Sequence, residues 1–301
     1  MLTIVISAFN EEKKIGDCLE SIKKIADEII FIDNTSSDKT VSIAKTYTDK
    51  IFIKPNNKML NVNKNFGFTK AANEWILSLD ADERLTPELA KEIEDVLSKP
   101  TEVCGYFISR KNIIFGKWIE HTGWYPDKQL RLFKAKNGRF EEKHIHELLT
   151  VKGQVESLKN PMIHLNYESI SQFLSKMIIL YTPSEAENII NQGYVFDWKD
   201  SLRMPSREFL QRYFSQKGYK DGLHGLVLSL LMAFYHFVIF LKLWEHNKFI
   251  EKKDIWEEAL EEANKLNGEL KYWVITASIN ESKLSFQKLL LKLKRKNLKI
   301  K

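Results

Sequence analysis

The sequence predicts an α/β fold, a Rossmann-like, mostly parallel sheet flanked by helices and followed by a helical C-terminal extension. Three observations lead to it. Short β-branched apolar runs alternate with helix-period segments through the first part of the chain. The runs are apolar throughout rather than at every second residue, as expected of strands covered on both faces. Three of them end in polar residues, at Ser7-Ala-Phe-Asn-Glu11, Asp33 and Asp80-Ala-Asp82, and open sheets of this kind bind ligands outside the carboxyl ends of their strands.

Taken in order, residues 2–7 read as the first strand, and 11–28 as a helix with Ile15, Leu19, Ile22 and Ala26 on one face. Residues 28–33 form a second strand ending in a carboxylate. A turn at 34–38 and a helix to about Tyr47 follow, then a third strand at 51–53, a helix at 62–73 and a fourth strand at 75–79. Thr86-Pro87 opens another helix with a capping hydroxyl and a proline at its first position. After about Pro161 the character becomes helical, at 169–190, 206–214 and 222–241, which divides the chain into domains at 1–165 and 166–301. Residues 222–241 contain no Asp, Glu, Lys or Arg. That length meets the requirement for a membrane span, but His224 and His236 and the flanking lysines suit a helix in the interface or over a lipid-linked acceptor better. Residues 251–268 read as an acidic surface helix.

At 301 residues and 44 % hydrophobic content the chain has ample material for a core. Its formal charge of +6 favours acidic partners such as nucleotide phosphates, nucleic acid or an anionic membrane face. The excess is concentrated at 283–301, with eight basic residues, no acidic one and several leucines; a solvated tail and an anionic-lipid contact both fit this pattern. Cys18 and Cys104 have no partner spacing, and the first residues lack a signal-peptide pattern, so the expected compartment is the cytoplasm.

Asp80 and Asp82 at the mouth of a strand form a hard-oxygen site suited to Mn²⁺ or Mg²⁺ with positions open to phosphate; the alternative is that they cap the turn before the helix at Pro87. No G-x-G-x-x-G follows the first strand and no P-loop occurs anywhere, so neither a dinucleotide nor a P-loop nucleotide site is supported.

The ordered series Ile4-Val-Ile-Ser-Ala-Phe-Asn-Glu11, Ile30-Phe-Ile-Asp33 with Ser37-Asp-Lys-Thr40, Asn63-Lys-Asn-Phe-Gly67 and the stretch from Trp75 to Glu83 resembles family 2 glycosyltransferases of the GT-A fold. Gly123-Trp-Tyr-Pro-Asp-Lys-Gln-Leu-Arg-Leu-Phe133, Gly138-Arg-Phe140, His146-Glu147, the strand of His164 and the segment from Arg212 to Gly222 are similar to the lipopolysaccharide-core β-1,4-glucosyltransferase branch. Ser7 stands where many relatives carry Pro, and Asn34-Thr35 where an acidic-Gly pair is commoner.

The resemblance implies an inverting transfer of sugar from a nucleotide-sugar donor, UDP-linked, to a cell-envelope or lipid-linked glycan. The implied donor residues are Ser7, Phe9, Glu11, Asp33, Lys64, Asn65 and Asp80. Phe9 would stack on uracil, Asp33 would accept its imide N–H, and Lys64 and Asn65 would face the diphosphate; core packing for Phe9 and solvation for Lys64 are the plain alternatives. Asp82, assisted by Asp80, would hold the metal. In the family register Glu147 is the catalytic base, with Asp127 its rival among Trp124, Tyr125 and Pro126. Trp118, Trp124 and Tyr125 suit either sugar stacking or a hydrophobic hinge. Arg131 reads chiefly as a structural ion-pair partner. His164 could complete the metal shell, although a lone histidine at the end of a strand is more often a satisfied structural residue.

The expected setting is peripheral, at the inner face of the cytoplasmic membrane, with no nucleic-acid partner. A sugar-1-phosphate nucleotidyltransferase would share the crevice but lacks its Gly-rich basic loop here. A membrane- or nucleic-acid-binding module would explain the charge, yet leave the acidic strand ends without a purpose.

Overall fold

A computed structural model describes residues 1–56, 60–142 and 148–298. The first half of the sheet is wound as expected: β1 (Leu2–Ala8), α1 (Ile15–Ile22), β2 (Glu28–Asp33), α2 (Thr40–Ala44), β3 (Ile51–Ile53), α3 (Leu60–Lys70) and β4 (Trp75–Asp80). The strands lie in the order β3-β2-β1-β4 and all pair in parallel. Chain direction across the sheet therefore reverses between β1 and β4, which opens a crevice at their carboxyl ends. Register places Ser7 beside Asp80 and Ala8 beside Asp33, so the polar strand ends share one level.

Burial follows the pleat. Ile4, Ile6, Phe31 and Leu77 pack against Ile15, Leu19 and Ile22 of α1 on one face, while Val5, Ile30, Ile32 and Ile76 pack with Phe68 and Phe133 on the other. The helix α3 comes unusually close to that second face. A Cβ on Gly67 would sit 2.5 Å from Val5 Cγ1 and 3.2 Å from Ile32 Cγ1. Only glycine permits this approach without displacing the strands, and it carries Asn63 and Lys64, one turn earlier, in over the strand ends.

The helix expected at 11–28 is shorter, because its first residues are committed to another task. The Glu11 N–H donates to Thr40 Oγ1 (2.8 Å) and the Glu12 N–H to Asp38 Oδ2 (3.1 Å), while the Ser37 N–H donates to Asn10 Oδ1 (2.8 Å). These bonds tie the loop after β1 to the loop after β2, so regular helix begins only at Ile15.

Beyond β4 the sheet becomes mostly antiparallel. The elements are β5 (Glu83–Arg84), α4 (Pro87–Leu97), β6 (Gly105–Ile114), β7 (Lys117–Trp118), β8 (Asp127–Lys134), β9 (Gly138–Arg139), β10 (Thr150–Val151), β11 (Val155–Ser157) and β12 (Met162–Tyr167). The order continues β4-β8-β6-β12-β5, and β9 and β10 form a separate two-stranded ribbon. Thr86 Oγ1 accepts from the Leu89 N–H at 3.2 Å and Pro87 opens α4, as the capping pattern predicts. The sheet is thus mixed, parallel from β3 to β4 and antiparallel beyond it except for β11, which pairs in parallel with β6.

The chain divides into two compact units, residues 1–118 with 125–166, and residues 119–124 with 167–301. The second unit is helical: α5 (Ile170–Lys176), α6 (Thr182–Asn191), α7 (Asp200–Leu210), α8 (Leu223–His246), α9 (Trp256–Glu281) and α10 (Ser285–Lys296). A π-helical turn, Met177–Tyr181, joins α5 to α6 immediately before Pro183, and a second, Gln211–Ser215, follows α7. Asp221 holds the excursion 119–124 in this unit, accepting from the His121 N–H at 3.0 Å and from Thr122 Oγ1 at 2.9 Å.

The apolar α8 is long enough to cross a membrane by length and composition. In this structure Ile239 and Leu243 pack with Ala186 of α6 and Met204 of α7, while Leu223, Leu230 and Phe234 are exposed.

Candidate active site

The acidic motif closing β4 is embedded in an ion-pair network confined to the first unit. Asp80 receives Lys64 Nζ at 2.5 Å and Arg131 Nη2 at 2.7 Å. Arg131 also pairs with the fully buried Glu83 at 2.6 Å, and Glu83 in turn accepts from the Asp80 N–H at 3.0 Å. Burial by itself would raise the Asp80 carboxyl, but Arg131 and Lys64 outweigh it and hold the group well below the usual carboxylate range. Removing Arg131 would leave the buried Glu83 to the longer contact with Arg110 Nη1 at 3.5 Å, and breaking a buried pair typically costs about 3–5 kcal/mol. Arg131 is therefore the structural ion-pair partner anticipated for it. Lys64, anticipated at a diphosphate, sits against Asp80.

Asp82 is held differently. Its Oδ2 lies 3.6 Å from His164 Nε2, on β12, while His164 Nδ1 lies 2.7 Å from Asn112 Oδ1. With Nδ1 donating to the amide oxygen, Nε2 is the nitrogen left to face Asp82, as a donor to the carboxylate when it carries a proton and as a metal ligand when it does not. This is the way an outer hydrogen bond orients a metal-ligating imidazole. Burial would raise the Asp82 carboxyl, but hydrogen bonding and charge from His164 prevail and lower it, keeping the carboxylate ionised. No group of three or more His, Cys, Asp or Glu is arranged to hold a metal among the described residues. Asp82 and His164 would supply two ligands and leave the other positions to phosphate and water oxygens.

Asn112 also reaches the second carboxylate of interest. Its Nδ2 donates to Asp127 Oδ2 at 3.1 Å, beside Arg110 Nη2 at 2.6 Å, and Gln129 Nε2 donates to Asp127 Oδ1 at 2.8 Å. Burial would raise the Asp127 carboxyl, yet Arg110 and these hydrogen bonds lower it. A carboxylate so satisfied is a weak proton acceptor and a good fixed acceptor of hydrogen bonds. The sequence reading did not include Glu83, Arg110 or Asn112. The last two lie on β6, whose signal was an aromatic and β-branched run between Gly105 and Gly116.

At the neighbouring strand ends, Asp33 is almost fully buried. Its Oδ2 accepts the Ser36 N–H at 2.9 Å, while Oδ1 is buried without a hydrogen-bond partner among the described residues. Ser7 Oγ accepts from Asn34 Nδ2 at 3.0 Å, and Asn34 is in turn held by Asn63. Asn34, one of the departures from the family pattern, thus knits β1, β2 and α3 together. Phe9 is exposed rather than packed in the core, and Glu11 fixes the loop after β1 through its backbone.

Asn65 has a different setting from the diphosphate position expected of it. Its Nδ2 donates to Phe140 O at 2.9 Å and its Oδ1 accepts the Phe140 N–H at 3.0 Å, so it clamps the chain just after β9. Glu147 lies outside the described residues. Trp118 and Tyr125 meet edge to face in the first unit, with Lys111 Nζ 4.3 Å above the Trp118 ring. Trp124 belongs to the second unit, beneath Arg212 and against Tyr167.

A parallel half-sheet flanked by helices, with acidic residues at its carboxyl ends, fits the GT-A fold that the sequence resemblance implies. The family described as glycosyl transferase family 2 matches residues 3–149. The chain is a glycosyltransferase with a family 2 domain over these residues. This glycosyltransferase is 29 % identical over 250 residues to an uncharacterized glycosyltransferase of Rickettsia typhi, covering 78 % of this chain and 84 % of the relative. It is 24 % identical over 253 residues to the lipopolysaccharide core biosynthesis glycosyltransferase LpsC of Rhizobium meliloti, covering 82 % and 93 %. Among solved structures, S. aureus TarS 1-349 is similar with a TM-score of 0.43 at 15 % identity, covering 92 % of this glycosyltransferase and 80 % of that chain.

Proposed function

We propose that this glycosyltransferase moves a sugar, with inversion, from a UDP-sugar to a lipid-linked or cell-envelope glycan at the inner face of the cytoplasmic membrane. The observation that carries the reading is the pairing of two features at one crevice: the Asp33 carboxylate oxygen that has no hydrogen-bond partner among the described residues, and the Asp82–His164 pair beyond Asp80. The first suits a base that presents an imide N–H. The second suits the diphosphate end of the same donor. The similarity to LpsC, whose name places it in lipopolysaccharide core biosynthesis, supports this acceptor class.

Exposed Phe9 would cover the base and the Asp33 carboxylate would accept its N–H. Mn²⁺ or Mg²⁺ held by Asp82 and His164 would neutralise charge on the departing nucleotide, in place of a general acid. Lys64, already drawn in beside Asp80, adds a fixed positive charge at that end of the crevice. Asp127, locked by Arg110, Asn112 and Gln129, would orient an acceptor hydroxyl, and Glu147 would remove its proton as the oxygen attacks the anomeric carbon from the opposite face.

The base contact is tested by comparing UDP with CDP in calorimetry, since cytosine has no imide N–H to offer. A hydrogen bond to a charged group contributes about 1.5–3 kcal/mol, so the wild-type protein should prefer UDP by about tenfold or more. Asp33→Ala should lose that preference. Equal affinities for the two nucleotides in the wild-type protein would overturn the uridine assignment.

A further inference from the structure

The last helix, α10, carries an apolar stripe that nothing in the described chain covers. Phe286, Leu289, Leu290 and Leu293 are 50–70 % exposed. At helical spacing these four fall on one face. The helix is held by its other side, where Arg295 Nη1 donates to Thr276 Oγ1 of α9 at 3.2 Å and its guanidinium lies over the Tyr272 ring. The exposed stripe therefore points away from the helix that anchors it. Lys292 and Lys296 border it on one side and Lys294 on the other, and no acidic residue occurs after Glu281.

A solvated tail would not need four large apolar side chains in register. A second copy of this chain is a poor occupant, because a two-fold contact between identical stripes would bring like-charged lysine borders together. An apolar stripe with basic flanks is complementary to one surface above others, an anionic lipid headgroup layer over hydrocarbon. Lysine stems can lie along the apolar boundary while their ammonium groups reach the headgroups.

We infer that α10 lies in the plane of an anionic membrane, with Phe286, Leu289, Leu290 and Leu293 inserted and Lys292, Lys294 and Lys296 at headgroup level. This rests on the proposed membrane setting and specifies the element that makes the contact. The basic residues attract and the apolar face retains, so binding should have a salt-sensitive and a salt-insensitive part.

The test is flotation of the full-length protein with vesicles of phosphatidylcholine alone or mixed with phosphatidylglycerol. Wild-type protein should float with the anionic vesicles only. Replacing Phe286, Leu290 and Leu293 together by Ser should weaken partitioning at least tenfold at low salt, and Lys292→Glu with Lys296→Glu should abolish it. Because a triple variant alters more than one contact, Phe286→Trp supplies a second reading: its emission should shift to the blue on anionic vesicles. Wild-type protein that floats with neither vesicle would overturn the membrane setting itself. Wild-type protein that floats while the serine variant floats equally, with no shift in Phe286→Trp, would overturn the assignment to α10 alone. Concentration-dependent dimerisation lost in the serine variant, without vesicle binding by the wild type, would assign the stripe to a second copy instead.

Discussion

Glu147→Gln is expected to lower kcat by about 10²–10⁴-fold, the usual consequence of removing a general base, while leaving donor affinity and metal dependence unchanged. The reason is that the proposed role of Glu147 begins only as the acceptor hydroxyl attacks. Asp127→Asn should behave differently. Asp127 already receives Arg110, Asn112 and Gln129 and is held below the usual carboxylate range, which suits a fixed hydrogen-bond acceptor present in ground and transition states alike. Its loss should chiefly raise the acceptor KM. Steady-state kinetics on the two variants separate the roles. If Asp127→Asn abolishes kcat with unaltered donor binding while Glu147→Gln remains active, the roles must be exchanged.

Asp82→Asn should remove Mn²⁺-dependent UDP binding and cut turnover by about 10²-fold or more, since losing even an outer partner of a metal ligand commonly costs about 10–100-fold. The effect should fall on Asp82 rather than Asp80, because Asp80 is neutralised by Lys64 and Arg131 whereas Asp82 faces His164. The fold should survive, as Asp82 makes none of the ion pairs with Arg131 that balance the buried Glu83. Unchanged metal-dependent UDP affinity in Asp82→Asn, measured by calorimetry, would remove this residue from the metal site.

The parallel half of the fold was legible because its strands are short, apolar and punctuated by helix-period segments. Their polar ends were legible for the same reason: Asp33 and Asp80 follow runs that cannot otherwise stop at a charge. The antiparallel half was harder to read. β6 carries Arg110 and Asn112 in a run with no clean alternation, since its burial changes along its length where it meets β8, β11 and β12. The pairing of Asn112 with both His164 and Asp127 is a tertiary fact joining residues 52 and 15 positions apart, and no local pattern announces it. Asn65 shows the converse limit. Its position in the motif before Gly67 suggests a phosphate contact, but α3 lies so close to the sheet that the amide meets the backbone of Phe140 instead. Loop interlocking also shortened α1, because Asn10, Glu11 and Glu12 are taken up by residues 36–40.

The crevice at the ends of β1, β2 and β4 is proposed as a metal-assisted site for a nucleoside diphosphate sugar. It is tested most directly by titrating UDP into the wild-type protein, once with Mn²⁺ and once with the cation removed by a chelator. The expected result is saturable 1:1 binding that weakens at least tenfold without the cation, as Asp82 and the diphosphate then face each other unscreened. Binding of equal strength under both conditions, or no binding under either, would contradict it.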